Sequence, residues 1–354
     1  ALRVRPNEVG DGLNPSARFS LHHLPARTRT ICCVFVGDDV TKAVATIVDI
    51  IELAEENNDI HRSGLEHLGG RDVKAVGYTT EAARAELPRM ILLIDLSCDD
   101  EHQLDQLCSD IVELARQRDA EGFVDASADA RHSFWLDRAR TAAIASHTNA
   151  FKINEDVVIP LPRLAEYTNG IESINIIQST RNKLAIIDAV TNYLTSSAIN
   201  DIDDAAFGDS EESQAIITAK LSAATEHLKA IQHCWASIIA DPDKAAAEFP
   251  RLAAALADDS DKKRSAFALL QSRRLRISYR TEVEKPLKEI FSGNAMQAVR
   301  EQLDSIHSKV RASRLFVATH MHAGDGNVHT NIPVHSNDYE LISEKKISID
   351  KDLV

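Results

Sequence analysis

An α+β fold with a long helical insertion is what this 354-residue sequence predicts. Three features predict it. Short β-branched and aromatic runs alternate with amphipathic helical stretches as far as Pro160. The pattern changes to long helical periodicity from Arg163, and strand character returns from Arg314. A parallel α/β sheet is the competing reading of the first part, and periodicity alone does not separate the two.

Residues 1–28 read as irregular, punctuated by Gly10, Gly12, Pro15 and Pro25. Thr28 to Val36 is a strand ended by Gly37. Asp38 or Asp39 then caps a helix to about Glu56, with Val44, Ile47, Val48, Ile51 and Leu53 along one side. Met90 to Leu96 is a second strand. Cys98-Asp99-Asp100 opens a helix striped with Leu104, Leu107, Ile111 and Leu114, and Gly122 to Val124 starts a third strand. Ser127 to Ile144 is a helix capped by Ser127, and Phe151 to Ile159 a strand broken by Pro160 and Pro162. Long helices follow over Leu164 to Leu194 and Ser213 to Ala240, separated by an acidic exposed loop over Asn200 to Glu212. Further helical stretches cover about Lys244 to Leu256, Lys262 to Glu289 and Asn294 to Ala312. Arg314 to Thr319 and Val328 to Val334 are strands joined by a glycine-rich turn.

Composition narrows the function classes. Hydrophobic residues make up 44% and charged residues 27%, as in ordinary globular proteins. The net charge of −14 argues against nucleic acid, which needs a basic face, and obliges any anionic ligand to find a local basic pocket. The five cysteines, Cys32, Cys33, Cys98, Cys108 and Cys234, include no C-x-x-C pair, so they read as buried thiols in a reducing compartment. No run approaches the ~20 apolar residues of a membrane span. A cytoplasmic location follows, with peripheral association at the inner membrane as an alternative. The first residue is Ala and the last run is charged, so both ends read as fragment boundaries.

The chemistry-bearing segment is His320-Met-His322-Ala-Gly324-Asp325-Gly326-Asn327-Val-His329-Thr-Asn331. A strand enters a tight turn and a second strand leaves it, with glycines on both sides of Asp325. Such a turn can bring His322 and His329 to one side as ligands for zinc or another divalent ion. Asp325 and Asn327 are placed to orient the imidazoles or to hydrogen-bond a ligand or cofactor. His320 shares the face of His322 and reads as a neighbour rather than a ligand. The bland reading is a solvated surface hairpin, with Gly and Asn serving only the turn.

His322 to His329 matches the H-x-G-D-G-N-x-H signature and resembles the C-terminal cap domain of FAD-linked oxidases, the group of glycolate oxidase subunits, D-lactate dehydrogenases and D-2-hydroxyglutarate dehydrogenase. Asp156 to Leu164 resembles the family's D-V-x-x-P-x-x-R-L stretch, and Trp135 to Arg138 its W-x-x-R. Gly12 to Leu24 is similar to the last strand of the preceding FAD domain. Nearly the whole chain resembles long FAD/FMN-binding oxidoreductases of the DUF3683 type.

The resemblance implies a ferredoxin-like antiparallel sheet covered by helices, and oxidation of a D-2-hydroxy acid by hydride transfer to FAD. His322 and His329 inherit the role of ligands to zinc or manganese. Arg138 matches the arginine that pairs with the substrate carboxylate, and Asn331 a substrate-contacting position. Lys152 is the nearest basic residue to another substrate-contacting place, where Asn154 stands. The implied partners are the FAD domain, the substrate and an electron acceptor.

Two departures stand out. The family's third metal ligand, a glutamate in a later S-x-E-H-G-x-G segment, falls beyond the last residue, so the two imidazoles alone are expected to hold metal weakly; because most of the FAD-binding half is also absent, the fragment alone is expected to be inactive. Roughly a hundred extra residues, mostly helical by periodicity, separate Arg163 from His322. Their stripe of Ile217, Leu221, Leu228, Ile231 and Trp235 reads as core, with a docking arm as the sharper alternative.

The expected organisation is an FAD-domain remnant (1–28), a first cap segment (29–200), a helical insertion (201–312) and a return to the cap (313–354). A non-catalytic metal- or partner-binding module is the alternative function. A hydrolytic zinc enzyme ranks last, because no H-E-x-x-H occurs.

Overall fold

The computed structural model describes residues 25, 27–36, 40–57, 59–70, 73, 88, 90–125, 127–141, 151–196, 198–202, 210–312 and 316–334. The expected FAD-domain strand over Gly12 to Leu24, the cap at Asp38 or Asp39 and most of the acidic loop lie outside these residues.

The chain begins with strand Arg27–Phe35 (β1), helix Val40–Glu55 (α1) and strands His61–Gly69 (β2) and Met90–Cys98 (β3). Helix Glu101–Gln117 (α2), strand Ala120–Asp125 (β4), helix Ala128–Thr141 (α3) and strand Phe151–Val158 (β5) come next. Helices Leu164–Ser196 (α4), Glu211–Ala240 (α5) and Gln297–Ala312 (α6) follow, and strands Ala318–His322 (β6) and Asn327–Val334 (β7) return to the sheet.

The seven strands form one sheet in the order β4-β1-β3-β2-β6-β7-β5, and every neighbouring pair is antiparallel. The parallel alternative is thereby excluded. The first four strands, ordered β4-β1-β3-β2 with α1 and α2 between them in sequence, make the ferredoxin-like unit, and β6-β7-β5 extend it at the β2 edge. β3 is central and its first five residues are all buried, which is why it reads as one continuous apolar run. Asp100 caps α2 by accepting hydrogen bonds from the backbone N–H of His102 and Gln103.

β2 is the strand that periodicity does not announce. Its sequence, HRSGLEHLG, mixes polar residues into both faces, and a bulge between Arg62 and Gly64 shifts its register against β3. The expected helix over Lys262 to Glu289 is also broken. It divides into short turns, among them Ala266–Gln271 and Lys285–Ile290, with Arg273 in a left-handed conformation between them.

Alternation along the strands sorts the core. Cys33, Leu65, Leu92 and Ile94 face α1, α2 and the start of α4 in the main core. Cys32, Val34, Leu68, Ile91 and Leu93 face the other way, where Phe134 of α3 packs on them. All five cysteines are buried and none forms a disulfide. Burial pushes the Cys108 thiol up to about 12, with Asp105 adding to the shift, so this thiol is not a reactive thiolate. A second, larger core belongs to the helices. It starts at Ile186, inside α4, and includes Trp235, Phe249, Leu269, Phe291 and Val299. The stripe residues Ile217, Leu228, Ile231 and Trp235 are at most 1% exposed, so they serve this core. No helix among the described residues is long and apolar enough to cross a membrane.

Candidate functional site

Antiparallel partners share a face of the sheet, so the register assembles the site. Glu66 pairs with His322, His320 with His329, and His329 with Asp156. Asn331 occupies the same face, opposite Ala318 and Asn154. This is the face carrying Cys32, Val34 and Leu68, where α3 is the covering helix.

The turn that joins β6 to β7 requires one of its glycines. Gly326 has φ +68, and a Cβ there would collide with the Ile159 carbonyl, to which the chain is tied by an Ile159 N–H to Gly326 O hydrogen bond of 2.8 Å. A Cβ on Gly324 would meet only the Arg62 guanidinium, the far end of a flexible side chain, so the backbone constraint falls on Gly326.

With that turn closed, the His322 and His329 rings stand 5.1 Å apart, edge to face at 83°. His322 Nδ1–H donates to Glu66 Oε1 at 2.6 Å, and His329 Nδ1–H donates to Asp156 Oδ1 at 2.7 Å. A carboxylate only accepts, so each ring carries its proton on Nδ1 and its lone pair on Nε2 when neutral. The orienting groups are thus Glu66 of β2 and Asp156 of β5. Asp325 and Asn327, expected from the sequence to orient the rings, are not the carboxylate partners; Asp325 is exposed in the turn, and Asn327 pairs its backbone with Val158 and His322.

Around this pair the environment grades from wet to dry. The His322 side chain is 44% exposed and His329 21%, whereas Glu66 is 9%. His320 is buried, stacks on His329 at 4.9 Å and lies 3.2 Å through Nδ1 from the Asn331 amide nitrogen. Asn331 Oδ1 is buried without a hydrogen-bond partner among the described residues. So is the indole Nε1 of Trp135, whose ring lies against Gly64 on the same face.

Arg138 sits on α3 three residues beyond Trp135, one helical turn along. Lys152 holds the register position opposite Pro333. The side chains of both lie outside the described residues. Among the described residues, no group of three or more His, Cys, Asp or Glu side chains is placed to hold a metal ion.

This face thus carries two carboxylate-tethered imidazoles and, among the described residues, two buried polar atoms without hydrogen-bond partners. Residues 24–177 match the family model of FAD linked oxidases, C-terminal domain. The match covers less than half of the chain and runs from just before β1 into α4, so it includes Glu66, Trp135 and Asp156 but not the histidine hairpin. It points to a flavin-dependent oxidoreductase, with FAD as cofactor and a FAD-binding domain as partner. No curated protein matches the chain.

Proposed function

We propose that the chain is the substrate-binding cap of a flavoprotein that oxidises a D-2-hydroxy acid. The carrying observation is the paired imidazoles of His322 and His329, each held through Nδ1 by a carboxylate so that Nε2 is left as the lone-pair atom. In this reading a bound flavin would supply the hydride acceptor, and a divalent ion, zinc or manganese, held by His322 and His329 would supply Lewis acidity.

Two imidazoles are donors of the type such an ion takes. Imidazoles whose second nitrogen bonds a carboxylate are the usual form of metal-binding histidines. The described residues supply two ligands, one short of the three protein ligands of a catalytic zinc site.

The chain's own residues would bind and orient the substrate. Glu66 and Asp156 fix the two rings, and Asn331 offers its partnerless Oδ1 as an acceptor for a substrate hydroxyl or protonated group. Arg138 is assigned to the substrate carboxylate, for which a planar guanidinium is suited, and Lys152 to a supporting charge. Asp325, exposed at the turn, and Asn327 are assigned to the flavin side. We assign 1–28 to the end of the FAD domain, 29–200 and 313–354 to the cap, and 201–312 to an insertion, in a branch like the long FAD/FMN-binding oxidoreductases of the DUF3683 type.

The test is the visible spectrum of the product of the whole open reading frame that encodes this chain. Flavin bands bleached anaerobically by members of a panel of D-2-hydroxy acids are expected, and their loss in His322→Ala and His329→Ala with FAD still bound. A colourless product would reject the reading, and unchanged reduction in both variants would reject the assignment of the histidines.

A further inference from the structure

The reverse side of the sheet borders a half-open cavity of about 690 Å³, the size of a small-molecule pocket. His67 and Thr319 line it from the sheet, α4 from a second side, and the chain after the short helix Ala266–Gln271 from a third. It therefore lies where the sheet meets the helical insertion.

Three observations converge on a ligand. First, the charge is locally inverted. Lys183, Arg273 and Arg276 line the cavity against one carboxylate, Glu172, in a chain of net charge −14. Second, two buried polar atoms on its wall lack hydrogen-bond partners among the described residues. They are Nδ1 of His67, a residue 2% exposed, and Oγ1 of Thr168. Leaving such atoms unsatisfied is costly, so two in one cavity mark a place where a bound group completes the bonding. Third, Arg273, at φ +58, is the left-handed residue just after the helix Ala266–Gln271, and the turn it makes brings both Arg273 and Arg276 to the cavity. Ile176, Leu270 and Ile277 also line the cavity and give it an apolar surface.

We propose that this cavity binds a small amphipathic organic anion. Its carboxylate, sulfonate or phosphate sits among Lys183, Arg273 and Arg276. Its apolar body lies on Ile176 and Ile277, and its far end offers a polar atom to His67 and Thr168. The site does not depend on the flavoprotein reading, since it occupies the opposite face of the sheet. It touches that face through the backbone, because His67 adjoins Glu66, the residue that holds His322, and Thr319 adjoins His320.

The test uses 8-anilinonaphthalene-1-sulfonate, an aromatic sulfonate of suitable shape, titrated into the 354-residue chain and followed by its fluorescence. Saturable one-site binding that weakens with added salt is expected. Arg276→Glu, a change at an exposed residue, should weaken binding about tenfold, the effect of roughly one charge-assisted contact. Ile277→Trp, which fills the cavity, should abolish it with an unchanged far-ultraviolet circular dichroism spectrum. Absence of saturable binding, or equal affinity in Arg276→Glu and the parent chain, overturns the proposal whether or not Ile277→Trp folds.

Discussion

Among the described histidines, His67 should do most to destabilise this fold in acid. His67 is 2% exposed, and burial lowers its pKa from 6.5 to about 4. The folded state keeps the ring neutral where the unfolded chain takes up a proton. Between those two values the unfolded state binds more protons, so stability falls as pH falls from about 6.5 towards 4 and levels off below. The gap corresponds to ~3 kcal/mol at 1.36 kcal/mol per pH unit. Urea unfolding of the parent chain and of His67→Gln, from about pH 7.5 to about pH 4.5, isolates this contribution, because Gln does not titrate. The parent should lose ~3 kcal/mol more than the variant across the range. Parallel pH dependences would refute the claim that the buried ring stays neutral.

Three further outcomes are expected. Glu66→Gln in the whole gene product should weaken zinc affinity roughly 10–100-fold by chelator competition, because the ring of His322 loses the carboxylate that fixes its tautomer; undiminished affinity would deny Glu66 that positioning role. Gly326→Ala should lower the melting temperature by an amount equivalent to at least ~1–2 kcal/mol, since it combines φ +68 with a collision at the Ile159 carbonyl; an unchanged melt would contradict the turn geometry. Trp235→Ala, at a position 1% exposed, should cost ~3–5 kcal/mol and raise amide exchange in α5 and α6 more than in β1 and β3; uniform exchange would show that the helices have no core of their own.

Much of this architecture was legible in the sequence, and the gaps have physical causes. β1 and β3 stand out because the stretches Ile31 to Phe35 and Met90 to Ile94 are buried on both faces and are apolar without interruption. β2 does not, because Glu66 and His67 are buried polar residues whose environments come from opposite faces, and no local pattern encodes that. The hairpin histidines were readable, since their spacing and the glycines are local. The carboxylates that hold them were not. Glu66 lies 256 residues from His322 and Asp156 lies 173 from His329, so only the sheet register brings them together. The breaks after Gln271 are not legible because the segment keeps helical composition, and the left-handed turn at Arg273 bears no glycine to announce it.

The long helix α4 has a consequence for how such a protein could be shortened. Its first half packs beneath the sheet, and its last three turns or so, carrying Ile186, Ile187, Val190 and Leu194, belong to the helical core. Trimming the chain at the loop near residue 200 would strip that apolar end of its cover and leave it a sticky spur in water. A relative without the extra helices must therefore also have lost the end of this one, or replaced its apolar side with polar residues.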